Sequence, residues 1–302
     1  MLSVWLRAIR IKFLLASVIA VSLGLSLSWY AGYQIDIFHA MLTFAGVISL
    51  HASVDLLNDY WDFKRGIDTK TKRTKMSGGT GVLPEGLLKP KSVYLVGIGF
   101  LIFGAIIGIY FVTIFGITIG LILGFAILSV YFYSTKIVNW GLAEVFVTIK
   151  GALIIIGTYF IQTQNIDDFT ILAGIVVGIF SSLVLFVTSI PDHDVDKEKG
   201  RRTLIIIFGK SNAVRTFLIF PILAYGIIIY GVVSGLFPIY SLIVLLAKPF
   251  LILAILHLKD LEKSEKILIS SMTNTLYFSR IAGALFIISF LIGFYVMIFD
   301  II

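Results

Sequence analysis

Nine apolar stretches, each about twenty residues long, follow one another along the chain and are separated by polar segments. A helix of about twenty apolar residues spans the hydrocarbon core of a bilayer. A membrane β-barrel would instead show segments of about ten residues with alternating polarity. The pattern therefore predicts an all-α polytopic membrane protein of about nine transmembrane helices, at residues 11–29, 38–57, 92–112, 114–132, 141–161, 170–190, 213–233, 237–256 and 276–299.

The composition of the 302 residues supports this class. Hydrophobic residues make up 59% and charged residues 14% of the chain, whereas a soluble domain carries about 25% charged residues. The same composition excludes intrinsic disorder, which needs low hydrophobicity and high net charge. There is no cysteine, so disulfides, thiolate metal sites and cysteine nucleophiles are excluded.

Basic residues are distributed unevenly among the connections between the apolar stretches. The net charge is +7. Lysine and arginine are absent between spans 1 and 2, 3 and 4, 5 and 6, and 7 and 8, whereas they are concentrated at the N-terminus and between spans 2 and 3, 6 and 7, and 8 and 9. We therefore expect no nucleic-acid partner. The positive-inside rule places the N-terminus in the cytoplasm and the C-terminus outside, in the plasma membrane. We expect one transmembrane domain over residues 1–302, capped on the cytoplasmic side by the loops at about 58–91, 191–212 and 257–275.

Carboxylates are concentrated in two short windows, each at the predicted cytoplasmic end of an even-numbered span. The windows lie about 130 residues apart, at the ends of spans 2 and 6, which predicts two four-helix repeats plus one helix. Together they hold eight of the 17 acidic residues: Asp55, Asp59, Asp62, Asp68, Asp192, Asp194, Asp196 and Glu198.

The spacing within each window favours a divalent cation. Asn58 and Asp62 share one helix face, as do Asp192 and Asp196, whereas Asp194 points roughly the opposite way. Like charges one turn apart repel each other, and carboxylate and amide oxygens are the ligands that Mg²⁺ prefers, often together with phosphate. The alternative is a set of solvated loop charges. The predicted ligands are Asn58, Asp59, Asp62, Asp192 and Asp196.

A diphosphate held by Mg²⁺ still needs cationic donors, which arginine and lysine supply. The candidates are Lys12, Arg65, Lys70, Arg73, Lys136 and Arg202, although each also fits the positive-inside pattern. The stretch Ser77-Gly78-Gly79-Thr80-Gly81 is a candidate lid. It lacks the Lys-Ser/Thr of a P-loop, so nucleotide binding is not expected.

The motifs Asn58-Asp59-x-x-Asp62 and Asp192-x-x-x-Asp196, with Arg10-x-Lys12 before span 1, resemble the signature of the UbiA superfamily of intramembrane prenyltransferases. This resemblance covers nearly the whole chain. It implies Mg²⁺-dependent transfer of a polyprenyl group from an isoprenoid diphosphate to an acceptor, with Asp62, Asp68, Asp192 and Asp196 as catalytic residues. Asp68 or Asp62 would take the acceptor's proton.

The acceptor follows from finer likenesses. Gly81-x-x-Pro84-Glu85-Gly86 and the region around Glu144 are similar to menaquinone-pathway enzymes that prenylate 1,4-dihydroxy-2-naphthoate. Gly66 stands where the family commonly has Asp, and Phe132 where it has Tyr, so prenylation of a glycerol-phosphate lipid, as in archaeal relatives, is the alternative. Acceptor or cavity residues are expected at His51, Tyr133, Glu144 and Lys150.

A cation- or proton-coupled secondary transporter is the rival of another class. Such proteins carry charges near the bilayer midplane and inverted repeats. Here both acidic windows lie at one membrane face and the repeats are parallel, which favours an enzyme. Its expected partners are an isoprenoid diphosphate, a hydrophobic or aromatic acceptor and the lipid bilayer.

Overall fold

The computed structural model of the chain describes residues 1–68, 73–74, 76–261 and 263–299, and within these ranges it is helical, without a strand. Three segments are 3₁₀-helical: Ile137–Trp140, Lys210–Asn212 and Ile239–Ala247. The α-helices are α1 (Leu2–Ala8), α2 (Ile11–Tyr30), α3 (Ile37–Lys64), α4 (Pro90–Phe115), α5 (Ile117–Phe132), α6 (Ala143–Thr163), α7 (Asp168–Thr188), α8 (His193–Glu198), α9 (Leu204–Phe208), α10 (Ala213–Val233), α11 (Lys248–Lys259) and α12 (Glu265–Phe299).

The predicted membrane architecture is confirmed. In the described part of the chain, eight helical segments are long and apolar enough to cross a membrane, and α5 adds a shorter apolar helix of 16 residues. These nine segments correspond one to one with the nine apolar stretches of the sequence.

The last helix begins earlier than the apolar pattern predicts. α12 starts at Glu265, eleven residues before the predicted start at 276. Its first turns contain polar side chains that are satisfied by helix carbonyls. Thr273 donates to Ile269 O and Asn274 to Ser270 O, each at 2.8 Å. The segment is therefore helical although it is not apolar, and hydropathy alone misses it.

The eighth apolar stretch changes helix type along its length. It runs as a 3₁₀ helix over Ile239–Ala247 and continues as α11 from Lys248. Pro249 lies in the first turn of α11, where a missing backbone N–H is tolerated because no helical partner exists for it.

A glycine makes the tight connection between α4 and α5. Gly116 has φ 76°, a conformation that side-chain-bearing residues rarely adopt. Earlier in α4, Gly108 leaves room for the Leu123 side chain of α5, which a Cβ at that position would meet. The two helices therefore form a closely packed hairpin.

The chain divides into two compact units. The first comprises Met1–Leu15, Ala45–Phe146 and Leu185–Thr216. Its core includes a cluster in which Val4 and Trp5 of α1 pack against buried residues of α3, α4 and the preceding loop: Leu56, Val82, Leu83, Leu88 and Val93.

The second unit comprises Ala16–Phe44, Val147–Val184 and Phe217–Ile302, of which 262 and 300–302 lie outside the described residues. Its core is aromatic. Phe237, Phe286 and Phe290 contact one another edge-on, with ring centroids 5.2–5.6 Å apart. α6 and α7 approach closely within this unit, because a Cβ at Gly151 would lie 2.8 Å from the Cα of Gly178.

Candidate active site

The end of α3 carries the first acidic motif, and its side chains are linked along one helix face. Asn58 Nδ2 donates to Asp62 Oδ2 at 3.1 Å, and Asn58 Oδ1 accepts a hydrogen bond from the Ser134 hydroxyl. Asp62 is 4% exposed. The amide of Asn58 is thus fixed between the segment after α5 and a buried carboxylate.

Asp59 is buried beside this pair and is held by two donors. Arg10, in the link between α1 and α2, donates from Nη2 to Asp59 Oδ1 at 2.8 Å. The hydroxyl of Thr80 donates to Asp59 Oδ2. Both carboxylate oxygens therefore accept hydrogen bonds, and they tie the N-terminal segment and the glycine-rich loop to α3.

The second acidic motif surrounds the short helix α8. The backbone N–H of Asp196 donates to Asp192 O at 2.8 Å, which puts these two residues one turn apart. Asp196 is 4% exposed. Asp194 is exposed and pairs with His193 Nδ1 at 2.7 Å and Lys210 Nζ at 2.8 Å. Asp194 therefore lies outside the buried acidic group, on the side that helical spacing predicts.

Arg201 joins the two motifs. Its Nη2 donates to Asp62 Oδ1, and its Nη1 donates to Asp196 Oδ1 at 3.1 Å. All three side chains are largely buried, with 11% of the Arg201 side chain exposed. A buried guanidinium between two carboxylates is the strong form of an ion pair, since few waters screen it. The two acidic windows, far apart in sequence, thus form one site.

Arg65 provides a second link across the same region. It donates from Nη1 to Ser134 O at 2.7 Å and from Nη2 to Lys199 O at 3.1 Å. Its guanidinium therefore connects the segment after α5 to the segment after α8, without pairing with a carboxylate in these contacts.

The glycine-rich loop covers both motifs. Gly78 N–H donates to Asp192 Oδ2 at 3.2 Å, and a Cβ at Gly79 would lie 2.6 Å from Asp68 Oδ2. Gly79 also has φ 70°, so both its conformation and its close approach to Asp68 require glycine. Through Gly78, Gly79 and Thr80, this loop therefore contacts three of the site's carboxylates.

The negative charge of the site raises the pKa values of two of its carboxyl groups. Burial, together with the negative charges of Asp62 and Asp59, raises the pKa of Asp68 to about 8. Burial and the charge of Asp196 raise the pKa of Asp192 to about 7. The arginines present therefore leave the group with an excess of negative charge that disfavours full ionisation.

The predicted diphosphate-binding residues differ in their exposure and in their contacts. Lys12, Lys136 and Arg202 are exposed, and Lys136 Nζ lies 4.9 Å from the centre of the Phe132 ring. Arg73 pairs with Glu85, whose carboxylate also binds Arg7 at 2.6 Å. Lys70 lies outside the described residues.

Two arginines in direct contact with the acids were not among these candidates. Arg10 belongs to the Arg10-x-Lys12 element, which could have drawn attention to it. Arg201 differs from its candidate neighbour Arg202 by one position, and no sequence signal separates the two.

The predicted acceptor residues are dispersed. His51 Nε2 lies 3.9 Å from Asp55 Oδ2. Glu144 is 1% exposed and accepts a hydrogen bond from the Leu204 backbone N–H at 3.0 Å. Burial raises the pKa of Tyr133 above its usual range. Lys150 belongs to the second unit.

The donor set fits a hard divalent cation. No three carboxylate or histidine side chains of the described residues already converge on one point. Asp192 Oδ1, however, is buried and has no hydrogen-bond partner in the part of the chain that the structure describes. Oxygen ligands with excess negative charge suit Mg²⁺. An ion between Asp62 and Asp196 requires Arg201 to move away from them.

The chain is similar to known proteins over most of its length. Residues 17–275 match the UbiA prenyltransferase family. The chain is 28% identical to 1,4-dihydroxy-2-naphthoate octaprenyltransferase of Bacillus subtilis over 230 residues, which are 73% of this chain and 72% of the relative.

Two solved structures share the fold. A UbiA homologue from Archaeoglobus fulgidus bound to DMAPP and Mg²⁺ superposes with a TM-score of 0.62 at 17% identity, covering 97% of this chain and 99% of the homologue. A digeranylgeranylglyceryl phosphate synthase superposes with a TM-score of 0.59 at 19% identity, covering 97% of this chain and 98% of the synthase.

The family match covers most of the chain, and the described residues form eight helical segments that are long and apolar enough to cross a membrane, besides the shorter α5. The chain belongs to the UbiA prenyltransferase family and is a multi-pass membrane enzyme that transfers prenyl groups.

Proposed function

We propose that this enzyme transfers a prenyl group from an isoprenoid diphosphate to an aromatic acceptor of the 1,4-dihydroxy-2-naphthoate type. The observation that carries the proposal is the joining of the two acidic motifs by Arg201 into one buried site. Such a site holds both the carboxylates and the cationic donors that a metal-bound diphosphate needs.

The chain's own residues bind and orient the diphosphate. If Mg²⁺ were to replace Arg201 between Asp62 and Asp196, the Arg201 guanidinium would be free to donate to phosphate oxygens in a bidentate manner. Arg65 and Arg10 lie on the same group of elements and supply further positive charge. Asn58, Asp62, Asp192 and Asp196 are the residues that would hold Mg²⁺, with Asp59 beside them.

Bond cleavage at the allylic carbon releases diphosphate and leaves a delocalised cation on the prenyl chain. When bound, Mg²⁺ supplies the positive charge that stabilises the departing diphosphate. The loop Ser77–Gly81 lies over the acids and excludes water from the reacting carbon. The acceptor attacks that carbon and loses a proton as the new bond forms, and buried Asp68 is the candidate base for that proton.

The acceptor class rests on the relatives. The Bacillus subtilis relative is named for a naphthoate acceptor, and the chain matches nearly three quarters of it. A glycerol-phosphate lipid is the second candidate, because the structure of a digeranylgeranylglyceryl phosphate synthase covers almost the whole chain.

Product analysis with a panel of acceptors tests the proposal. The purified protein is incubated with geranylgeranyl diphosphate, Mg²⁺ and, separately, dihydroxynaphthoate, hydroxybenzoate and glycerol-phosphate acceptors, and products are identified by mass. We expect a prenylated naphthalene product and its loss with excess chelator. A product formed only from the glycerol-phosphate acceptor would assign the second candidate function, and undiminished turnover in chelator would reject the metal role.

We further propose that residues 1–302 act as one prenyltransferase domain in the plasma membrane. The N-terminus and the loops that bear the acidic motifs then face the cytoplasm, and the C-terminus lies outside. The distribution of basic residues supports this orientation.

A further inference from the structure

Arg7, near the end of α1, is joined by hydrogen bonds to the glycine-rich loop and to the turn that follows it. Its Nε donates to Thr80 O at 2.6 Å. Its Nη1 and Nη2 donate to the two carboxylate oxygens of Glu85, at 2.9 Å and 2.6 Å. Because both terminal nitrogens bind one carboxylate, the guanidinium is held in the bidentate geometry that is strong and specific for this pair. We call Arg7, Thr80 and Glu85 the clamp.

The helix that carries Arg7 is itself fixed in the core of the first unit. Val4 and Trp5 of α1 pack against a buried cluster that includes Val82 and Leu83. These two residues lie between the two loop positions that Arg7 binds. The apolar contacts therefore fix α1 against the same stretch of chain, so that the guanidinium has a firm support.

The backbone path at Gly81 makes room for the clamp. A Cβ at Gly81 would lie 2.6 Å from Arg7 Nη2 and 2.8 Å from Glu85 Oε1, and Gly81 has φ 74°, so this position requires glycine. The hydrogen bonds from Arg7 lower the pKa of Glu85 below its usual range, so the carboxylate stays ionised at neutral pH. Arg73 also pairs with Glu85.

The segment that the clamp fixes is the one that contacts the acids. The carbonyl of Thr80 accepts from Arg7, and its hydroxyl donates to Asp59. Two residues earlier, Gly78 N–H donates to Asp192 Oδ2 at 3.2 Å. In the contacts of the described residues, Arg7 thus reaches the acids through Thr80 and not directly. A change at Arg7 should therefore act on the position of the loop.

We propose that Arg7 is a positioning residue that keeps the glycine-rich loop closed over the acidic site and so keeps water away from the allylic cation. This inference rests on the proposed function. Water that reaches the cation forms a bond to the allylic carbon that diphosphate has left and releases a proton to the solvent. The product is then a prenyl alcohol in place of the prenylated acceptor, and its share reports how well the loop is held.

Four variants separate the clamp from its surroundings. Arg7→Gln removes the charge and the bidentate fork, whereas Arg7→Lys keeps the charge alone. Glu85→Gln weakens the same contact from the side of the loop. Arg215→Gln is the matched control, because Arg215 is an exposed arginine of α10 in the same unit and the chemical change equals that at Arg7.

The first measurement follows the loop without any turnover. The natural chain has no cysteine, and Ser77 in the loop is 7% exposed. A thiol introduced by Ser77→Cys should therefore react slowly with a water-soluble reagent while the loop is closed. The labelling rate is compared between Ser77→Cys alone and Ser77→Cys combined with each of the four variants.

We expect Arg7→Gln and Glu85→Gln to raise this labelling rate about threefold or more, which is the size expected of a partly exposed ion pair. Arg7→Lys should have a smaller effect, and Arg215→Gln should have none. The combination of Arg7→Gln with Glu85→Gln should label little faster than either alone, because the second change removes little more from a contact that is already lost.

The second measurement follows the fate of the cation. The proteins without Ser77→Cys are incubated with geranylgeranyl diphosphate, Mg²⁺ and the acceptor that the wild type uses, and both products are quantified by mass. Arg7→Gln and Glu85→Gln should raise the ratio of geranylgeraniol to prenylated product about threefold or more. A variant that merely contains less folded protein forms less of both products and leaves this ratio unchanged.

Labelling rates and product ratios equal to those of Arg215→Gln would overturn the proposal. Melting temperatures identify the variants that fold, and Glu85→Gln decides the matter if Arg7→Gln does not fold. Absence of any prenylated product from the wild type would instead reject the proposed function. The labelling rates would then still decide whether Arg7 holds the loop.

Discussion

At the level of single residues, Arg201 and Arg202 show how neighbouring basic positions take different roles. Arg201 is buried between Asp62 and Asp196, whereas Arg202 is exposed and contributes its backbone N–H to Val138 O at 3.0 Å. The polypeptide turns after Gly200, which has φ 79°, and this turn decides which of the two side chains points inward. The sequence alone identifies both arginines as candidates, but it does not tell which of them the turn after Gly200 directs towards the acidic residues.

Replacing Arg201 should destabilise the protein in a way that Mg²⁺ reverses. Arg201→Gln leaves two buried carboxylates without their shared counter-charge, at a cost of about 3 kcal/mol in the free energy of unfolding. Arg202→Gln should change it by less than about 0.5 kcal/mol. Thermal unfolding of the two variants, with and without Mg²⁺, measures these changes in stability. If the two variants unfold at the same temperature, the bridging role of Arg201 is wrong.

The two acidic motifs should behave as one unit in catalysis. Asp62→Ala and Asp196→Ala should each lower the transfer rate by about 10²–10³-fold, as expected when charge stabilisation of a transition state is lost. The double variant should be little worse than either single one, because each change already dismantles the shared site. Initial rates of diphosphate release measure this.

Asp194→Ala is the control for that comparison, since Asp194 is exposed and pairs with Lys210 outside the buried group. Its transfer rate should stay near that of the wild type. A loss equal to that of Asp196→Ala would contradict the assignment of faces within α8.

At the level of helices, the sequence predicts well which segments are helical and less well where each helix begins and ends. Apolar length predicts all nine membrane segments, because crossing a bilayer imposes it. Apolar length does not predict the early start of α12, because its first turns include polar residues such as Thr273 and Asn274, whose side chains hydrogen-bond to carbonyls of their own helix. The i, i+4 pairing of Asn58 with Asp62 was predictable from helix geometry, whereas Thr80 reaches Asp59 through a loop whose path no periodicity encodes.

The contact between α6 and α7 within the second unit depends on the absence of a side chain at Gly178. A Cβ there would overlap the carbonyl of Thr148, and a backbone carbonyl cannot move aside without separating the helices. Gly178→Ala should therefore lower the free energy of unfolding by about 1–3 kcal/mol.

Gly226→Ala is the matched control, because Gly226 lies in α10 of the same unit and a Cβ there meets nothing within 4 Å. It should be neutral, or stabilising by up to about 1 kcal/mol through higher helix propensity. The two melting temperatures in detergent give the comparison. A Gly178→Ala protein as stable as Gly226→Ala would show that the two helices are not in close contact.

At the level of the whole molecule, we predict the orientation in the membrane from charge rather than from packing. Lysine and arginine are absent from every second connection between the apolar stretches. The membrane insertion machinery keeps short basic loops on the cytoplasmic side, and an odd number of crossings then puts the two termini on opposite sides. A missing or additional crossing would place basic loops on both sides, which this sequence avoids.

Cysteine labelling tests that orientation cleanly, because the natural chain has no cysteine. Lys89→Cys lies in the predicted cytoplasmic connection before α4, and Gln164→Cys lies between α6 and α7 on the predicted outer side. Both positions are exposed. A membrane-impermeant thiol reagent should label Gln164→Cys in intact cells and Lys89→Cys only after lysis, because the bilayer shields the cytoplasmic thiol. Labelling of both variants in intact cells, or of neither, would contradict the predicted orientation while leaving the prenyltransferase assignment intact.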